Sequence, residues 1–180
     1  MYIVKYSGPF GFIKPWTSVR DSKTYSQQFL TPSIIEGIRQ KLEVSQIYRH
    51  KLKYQSISVQ QEQVQSRGWE LKKAQERMVR GQSILERGIM LNPTLLLGFN
   101  TKLDAEAASL QHICLCRNED ILLPFEEIDE MTEEEFSILD GFELRFGESE
   151  ASFLVGYNRF DENKPMYGWI EYSGNSILTL

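Results

Sequence analysis

The order of the elements predicts an α+β fold and is compatible, among several α+β arrangements, with a βαββαβ core followed by a C-terminal β appendage. Two observations carry the core. Strand-like runs rich in β-branched and aromatic residues alternate with segments whose apolar residues recur at helical spacing. A third carries the appendage: three alternating, aromatic-rich runs, Phe142–Phe146, Ser152–Phe160 and Gly168–Tyr172, close the chain.

In order, Tyr2–Tyr6 (YIVKY) reads as a strand with Ile3 and Val4 toward the core. Gly8-Pro9 then turns the chain into a loop to Leu30 that is long for a compact domain and rich in aromatic and basic residues. Thr31-Pro32-Ser33 starts a helix. The Thr31 hydroxyl can cap it, Pro32 suits the first helical position, and Ser33 with Glu36 offers a second capping box. Ile34, Ile35, Ile38 and Leu42 give it one apolar face. Gly37 costs that helix about 1 kcal/mol relative to alanine, which predicts close packing against the sheet.

Gln46–Lys53 alternates as a strand, with Ile47, Arg49, Lys51 and Lys53 on one face and Tyr48, His50 and Leu52 on the other. That pattern predicts a basic edge or face. Tyr54–Val64 continues the alternation and reads as a protruding, glutamine-rich hairpin. Glu70–Leu85 reads as a helix, with Leu71, Ala74, Met78 and Leu85 on one face and Lys73, Arg77 and Arg80 on another. Thr94–Phe99 is a buried strand and Leu103–Cys114 a helix that Asp104 starts. Asp120–Phe125 is a strand stopped by Pro124, and Thr132 caps a helix through Leu139 with three glutamates in its first turn.

The 180 residues suit one domain with a small appendage, split at 1–125 and 126–180. Hydrophobic residues make up 41% and charged residues 25%, an ordinary globular balance. No apolar run approaches a membrane span and the N-terminus lacks a signal-peptide pattern, so the expected location is cytoplasmic. Cys114 and Cys116 are too close in sequence for an unstrained bridge and read as reduced thiols on one strand face. The two histidines, His50 and His112, have no neighbours at metal-ligand spacing, and no nucleophile, Walker or dinucleotide motif is present. No metal, cofactor or catalytic residue is therefore expected.

The net charge of −5 hides an asymmetry. Residues 1–100 hold 15 Lys and Arg against seven Asp and Glu; residues 101–180 hold five against 18. The first half suits a polyanion and the second a different partner, unless the halves attract each other within one domain. Single-stranded RNA is held by cations on phosphates and aromatic faces on bases. The first half interleaves both types: Lys14, Trp16, Arg20, Arg39, Arg49, Lys53, Arg67, Trp69, Lys73, Arg77, Arg80 and Arg87. Trp16 serves either a core or a base; Trp69, between Arg67 and Glu70 in a polar stretch, is the better exposed of the two.

The stretch Ser7–Leu42 is similar to the N-terminus of the RAMP proteins, the RNA-binding subunits of CRISPR effector complexes. The matching features are the Gly-Pro turn, the Trp-containing basic loop, Thr31-Pro32-Ser33 and Gly37. A second patch, Gly81–Phe99, resembles the segment leading into an inner strand of the fifth Cas family, and together the patches cover about a third of the chain. That family caps the 5′ end of the guide RNA in Cascade. The resemblance implies a ferredoxin-like, RRM-like core over residues 1–125 and a non-catalytic subunit. It implies guide RNA (crRNA) and the backbone and large effector subunits as partners, with the acidic segment 126–180 packed on the same domain. Some members of the family cut the precursor guide RNA with Tyr, Lys and His, and Tyr48, His50 and Lys51 lie close in sequence here. Strand geometry turns Lys51 away from the other two. A protein-only adaptor with basic and acidic docking faces is the reading from another class.

Overall fold

The computed structural model describes residues 1–15, 22–158 and 161–174; of residues 66, 67 and 75 only the backbone belongs to the description. The protein is a mixed helix-and-sheet structure whose main sheet is antiparallel throughout. Its elements, in order, are β1 (Tyr2–Ser7), β2 (Phe10–Gly11), β3 (Lys23–Tyr25), α1 (Pro32–Leu42), β4 (Arg49–Lys53), β5 (Ser56–Lys72), a short 3-10 turn (Lys73–Gln75) and β6 (Arg77–Leu91). There follow β7 (Thr94–Phe99), α2 (Lys102–Ser109), β8 (Ile113–Cys114), β9 (Ile121–Glu130), α3 (Glu133–Ile138), β10 (Gly141–Phe146), β11 (Phe153–Asn158) and β12 (Lys164–Ser173).

Eight strands form one sheet in the order β11-β12-β10-β4-β7-β1-β9-β8. Side chains alternate across it. Val4, Tyr6, Leu52, Leu95, Leu97 and Phe99 point to one face, where Ile38 and Leu42 of α1 and Ala105 and Ala108 of α2 join them in the core. The Tyr6 hydroxyl donates to the Ala108 carbonyl at 2.6 Å and so ties the central strand to α2. Arg49, Lys51 and Glu143 point to the other face, where α3 places its buried Phe136. The C-terminal strands continue the sheet through β10 on β4. The expected 125/126 boundary falls inside β9.

A second sheet rises from the first. β5 and β6 pair from Ser56↔Leu91 to Lys72↔Arg77, and β2 and β3 line the other side of β6 near its base. The loop between β1 and α1 is therefore partly sheet. Its Phe12 and Ile13 are buried, and Ser26 accepts from the Ile13 amide at 2.9 Å.

Five local expectations are corrected. Residues 70–85 form the distal hairpin and not a helix: Leu71 and Met78, read as neighbours on a helical stripe, are cross-strand partners. Thr31 flanks α1, but its hydroxyl meets the Ser33 hydroxyl and caps no amide. Thr101, not Asp104, caps α2, which ends at Ser109 so that Ile113 and Cys114 form β8. Pro124 does not end β9: the pairing shifts between Val4 and Tyr6, and a proline is tolerated at such a bulge because the ladder needs no donor there. Gly37 faces open space, with nothing within 4 Å of a built Cβ. Close approach requires glycine elsewhere, as at Gly88, where a Cβ would lie 2.2 Å from the Tyr25 ring. The Thr132 capping box, by contrast, forms as read, with Thr132 accepting from the Glu135 amide and Glu135 from the Thr132 amide.

These two glycines make a direct test. Gly37→Ala should leave stability unchanged or raise it by up to about 1 kcal/mol through helix propensity. Gly88→Ala should lower it by about 1–3 kcal/mol as Tyr25 is displaced. Urea denaturation of both variants reads the difference.

Candidate nucleic-acid interface

The β5–β6 hairpin gathers the cations that the fold leaves uncommitted. At its far end Trp69 pairs with Arg80, Leu71 with Met78, and Lys72 with Arg77. Strand alternation puts Trp69, Arg80, Leu71 and Met78 on one face and Glu70, Lys72, Arg77 and Val79 on the other. The Arg80 guanidinium sits 4.5 Å from the centre of the Trp69 ring, and that Trp remains 56% exposed. A guanidinium on an indole face holds both flat, which pre-organises a surface for stacking. Lys72, Lys73, Arg77 and Arg80 are exposed, and none has an ion-pair partner among the described residues. An open hollow on the ribbon is lined by Trp69, Lys72, Arg77 and Arg80 together with the Glu70 carboxylate.

Of the expected contacts, Trp69, Lys73, Arg77 and Arg80 are thus brought together. Lys14 and Lys53 are exposed elsewhere. Trp16 and Arg20 lie outside the described residues, as does the side chain of Arg67. Lys72 was missed, although it adjoins Lys73 and the hairpin register sets it opposite Arg77.

Three expected cations are otherwise engaged. Arg49 is buried, not presented on a basic edge: its Nε and Nη2 donate to the two Glu143 oxygens at 2.7 Å each, and the pair is 3% and 2% exposed. β4 lies inside the sheet between β7 and β10, and its Arg49 and Lys51 are buried on the α3 face, while Lys53 at its end is exposed. Arg39 forks onto Glu36 at 2.8 Å and also donates to the Val44 carbonyl. That fork, with Gln40, draws the Glu36 carboxyl down to about 2. Arg87, half-buried at the hairpin base, lies 3.4 Å from Glu62.

Tyr48, His50 and Lys51 are not assembled into one constellation. The Tyr48 hydroxyl donates to Glu133. Lys51 donates to the Ser137 and Leu139 carbonyls at 2.7 and 2.6 Å and to the Ser173 hydroxyl at 3.0 Å, which uses all three of its donors at the end of α3. His50 is buried on the opposite face against Leu97, with no hydrogen-bond partner at Nε2. Among the described residues no His, Cys, Asp and Glu group could hold a metal ion, and Cys114 and Cys116 are free and exposed. No described helix is long and apolar enough to cross a membrane. No protein-family model matches the sequence, and no curated protein matches it.

His50 gives the site's surroundings a pH signature. Burial first, then the charges of Arg49 and Arg145, push its imidazole from 6.5 down to about 4, against the opposing pull of Glu143. The unfolded chain therefore binds the proton first. Stability from this residue is full above pH 6.5 and falls as the pH drops toward 4. Thermal unfolding should lose about 2 kcal/mol between pH 7.5 and 5. A His50→Leu variant should lack that loss over the same range, which lies above the usual carboxylate pKa values.

Proposed function

We propose that this chain is a non-catalytic RNA-binding subunit of a CRISPR effector complex, holding the 5′ handle of the guide RNA with the β5–β6 hairpin. One observation carries the reading: four uncommitted cations and an exposed Trp–Arg stack sit on one projecting ribbon, the chemistry that single-stranded RNA needs. The strand order β4-β7-β1-β9, with α1 and α2 crossing on one face, supports a ferredoxin-like core. In that core the hairpin is an insertion between the second and third core strands, β4 and β7. The similarity of Thr31-Pro32-Ser33 and Gly37 to the RAMP N-terminus agrees with this assignment, although Gly37 does not pack closely as a helical glycine predicts. The backbone and large subunits of the effector are the protein partners this reading calls for, in the cytoplasm.

RNA affinity is the measurement that tests it. Binding of a single-stranded handle RNA should weaken linearly on a log–log plot against salt. Arg77→Glu with Arg80→Glu should flatten that slope by roughly 0.7 for each phosphate no longer neutralised. Trp69→Ala should cost about 1–3 kcal/mol of binding with unchanged melting. Arg49→Ala should behave in the opposite way, losing about 3–5 kcal/mol of stability because Glu143 is left buried and alone. An unaltered salt slope in the double variant removes the hairpin from the interface.

A further inference from the structure

The outer face of β9 carries Ile121, Leu123 and Phe125, spaced two apart and therefore side by side. Leu123 is 60% exposed and its two neighbours 38% and 43%. Contiguous exposed apolar side chains on a sheet face mark an interaction surface. Lys5 places its ammonium 4.4 Å over the Phe125 ring at the inner edge of this strip. Along the same strand Glu126, Glu127, Asp129 and Glu130 are exposed, and none has an ion-pair partner among the described residues. Four uncompensated carboxylates repel a polyanion, so RNA is a poor occupant. The surface fits a protein segment with exposed apolar side chains beside basic ones, since the apolar strip and the carboxylates follow one another along β9.

The chain itself carries such a segment. Residues 67–80 hold five Lys and Arg against two Glu, and the hairpin tip exposes Trp69, Leu71 and Met78 beside Lys72, Lys73, Arg77 and Arg80. We propose that the hairpin tip of one copy docks on the β9 strip of a second copy. The two patches lie on different elements and differ in sign, so the contact either closes reciprocally in a two-fold dimer or extends to a ring or a filament. The tip that docks is the tip assigned above to RNA, and RNA therefore competes with the second copy for it. The docking rests on exposure and charge and stands without the RNA assignment.

Sedimentation of the whole chain up to about 100 μM, a range that reads micromolar dissociation constants, tests this. The wild-type protein should reach a weight-average mass of at least roughly twice the monomer value, and less at high salt. Arg77→Glu with Arg80→Glu makes both surfaces acidic. Glu126→Lys with Glu127→Lys leaves two lysines against Asp129 and Glu130, so a basic tip faces a strip with no net negative charge. Each variant alone should remain monomeric, with unchanged circular dichroism because all four side chains are exposed. An equal mixture should associate again, since the unaltered basic tip of the strip variant then meets the unaltered acidic strip of the tip variant. Leu123→Ser should also weaken assembly without altering any charge. A monomeric wild type, variants that assemble as well as the wild type, or a mixture that stays monomeric overturns the proposal. Handle-RNA binding by the Glu126→Lys, Glu127→Lys variant separates the two readings: RNA binding without wild-type self-assembly sinks only the docking, and self-assembly without RNA binding sinks only the RNA assignment.

Discussion

The buried ion pair of Arg49 and Glu143 holds the two parts of this chain in one sheet. Taking both charges out of water costs several kcal/mol per ion, and the return depends on geometry. Here the guanidinium fork meets the carboxylate with two parallel bonds of 2.7 Å, the arrangement in which the attraction is largest. The surroundings are built to match. Phe136 of α3 lies 4.9 Å from the Arg49 guanidinium, and Lys51, one turn of the pleat along, binds the carbonyls at the end of α3. β4 thus recruits both β10 and α3 through charges, although the strand itself reads as a surface element. What such a pair adds is specificity. An apolar contact would tolerate a shifted register between β4 and β10, whereas a forked ion pair does not.

The same pair explains why a count of cations misleads about the surface. The first half of the sequence is basic, and the natural expectation is a basic face. Folding consumes part of that charge. Arg49 and Lys51 enter the sheet, Arg39 is forked onto Glu36, and Arg87 is matched by Glu62. What remains is concentrated on the hairpin, where no carboxylate lies opposite Lys72, Arg77 or Arg80. Alternation shows which side chains share a strand face. It cannot show that β4 is an inner strand, because the strand that covers it, β10, follows about 90 residues later in the chain.

The short elements with their own local chemistry are legible in the sequence: β1, β7, α1 and the three C-terminal strands have clear periods, and the Thr132 capping box is a purely local pattern. The distal hairpin is not. Leu71, Ala74, Met78 and Leu85 do recur at a helical spacing, and the segment lacks an Asn-Gly or Asp-Gly turn. The chain reverses instead through a single 3-10 turn closed by Glu76 in the left-handed region, at φ 46°. A non-glycine residue there is uncommon, and sequence reasoning weighs it low. Gly37 and Gly88 show the same limit. Both sit at sites where glycine is locally unfavourable, and only the position of Tyr25 reveals which one answers a steric need.

A ribbon that long raises a question of support. An isolated two-stranded hairpin is marginal in water because it has no hydrophobic face to bury. At its base Ile89 and Met90 are buried, and β2 and β3 supply further strands. Beyond them the ribbon carries Gln60, Gln61, Gln63, Gln65 and Gln82 among the apolar Val59, Val64, Ile84 and Leu85, and Ile84 is 61% exposed. At the tip Trp69, Leu71 and Met78 are exposed as well, farthest from the core that would shelter them. Burial within this chain cannot account for that placement. A tip whose exposed apolar side chains stand beside unpaired cations fits the contact with another molecule proposed above. Its cations and its stacked Trp–Arg pair then decide which class of molecule it meets.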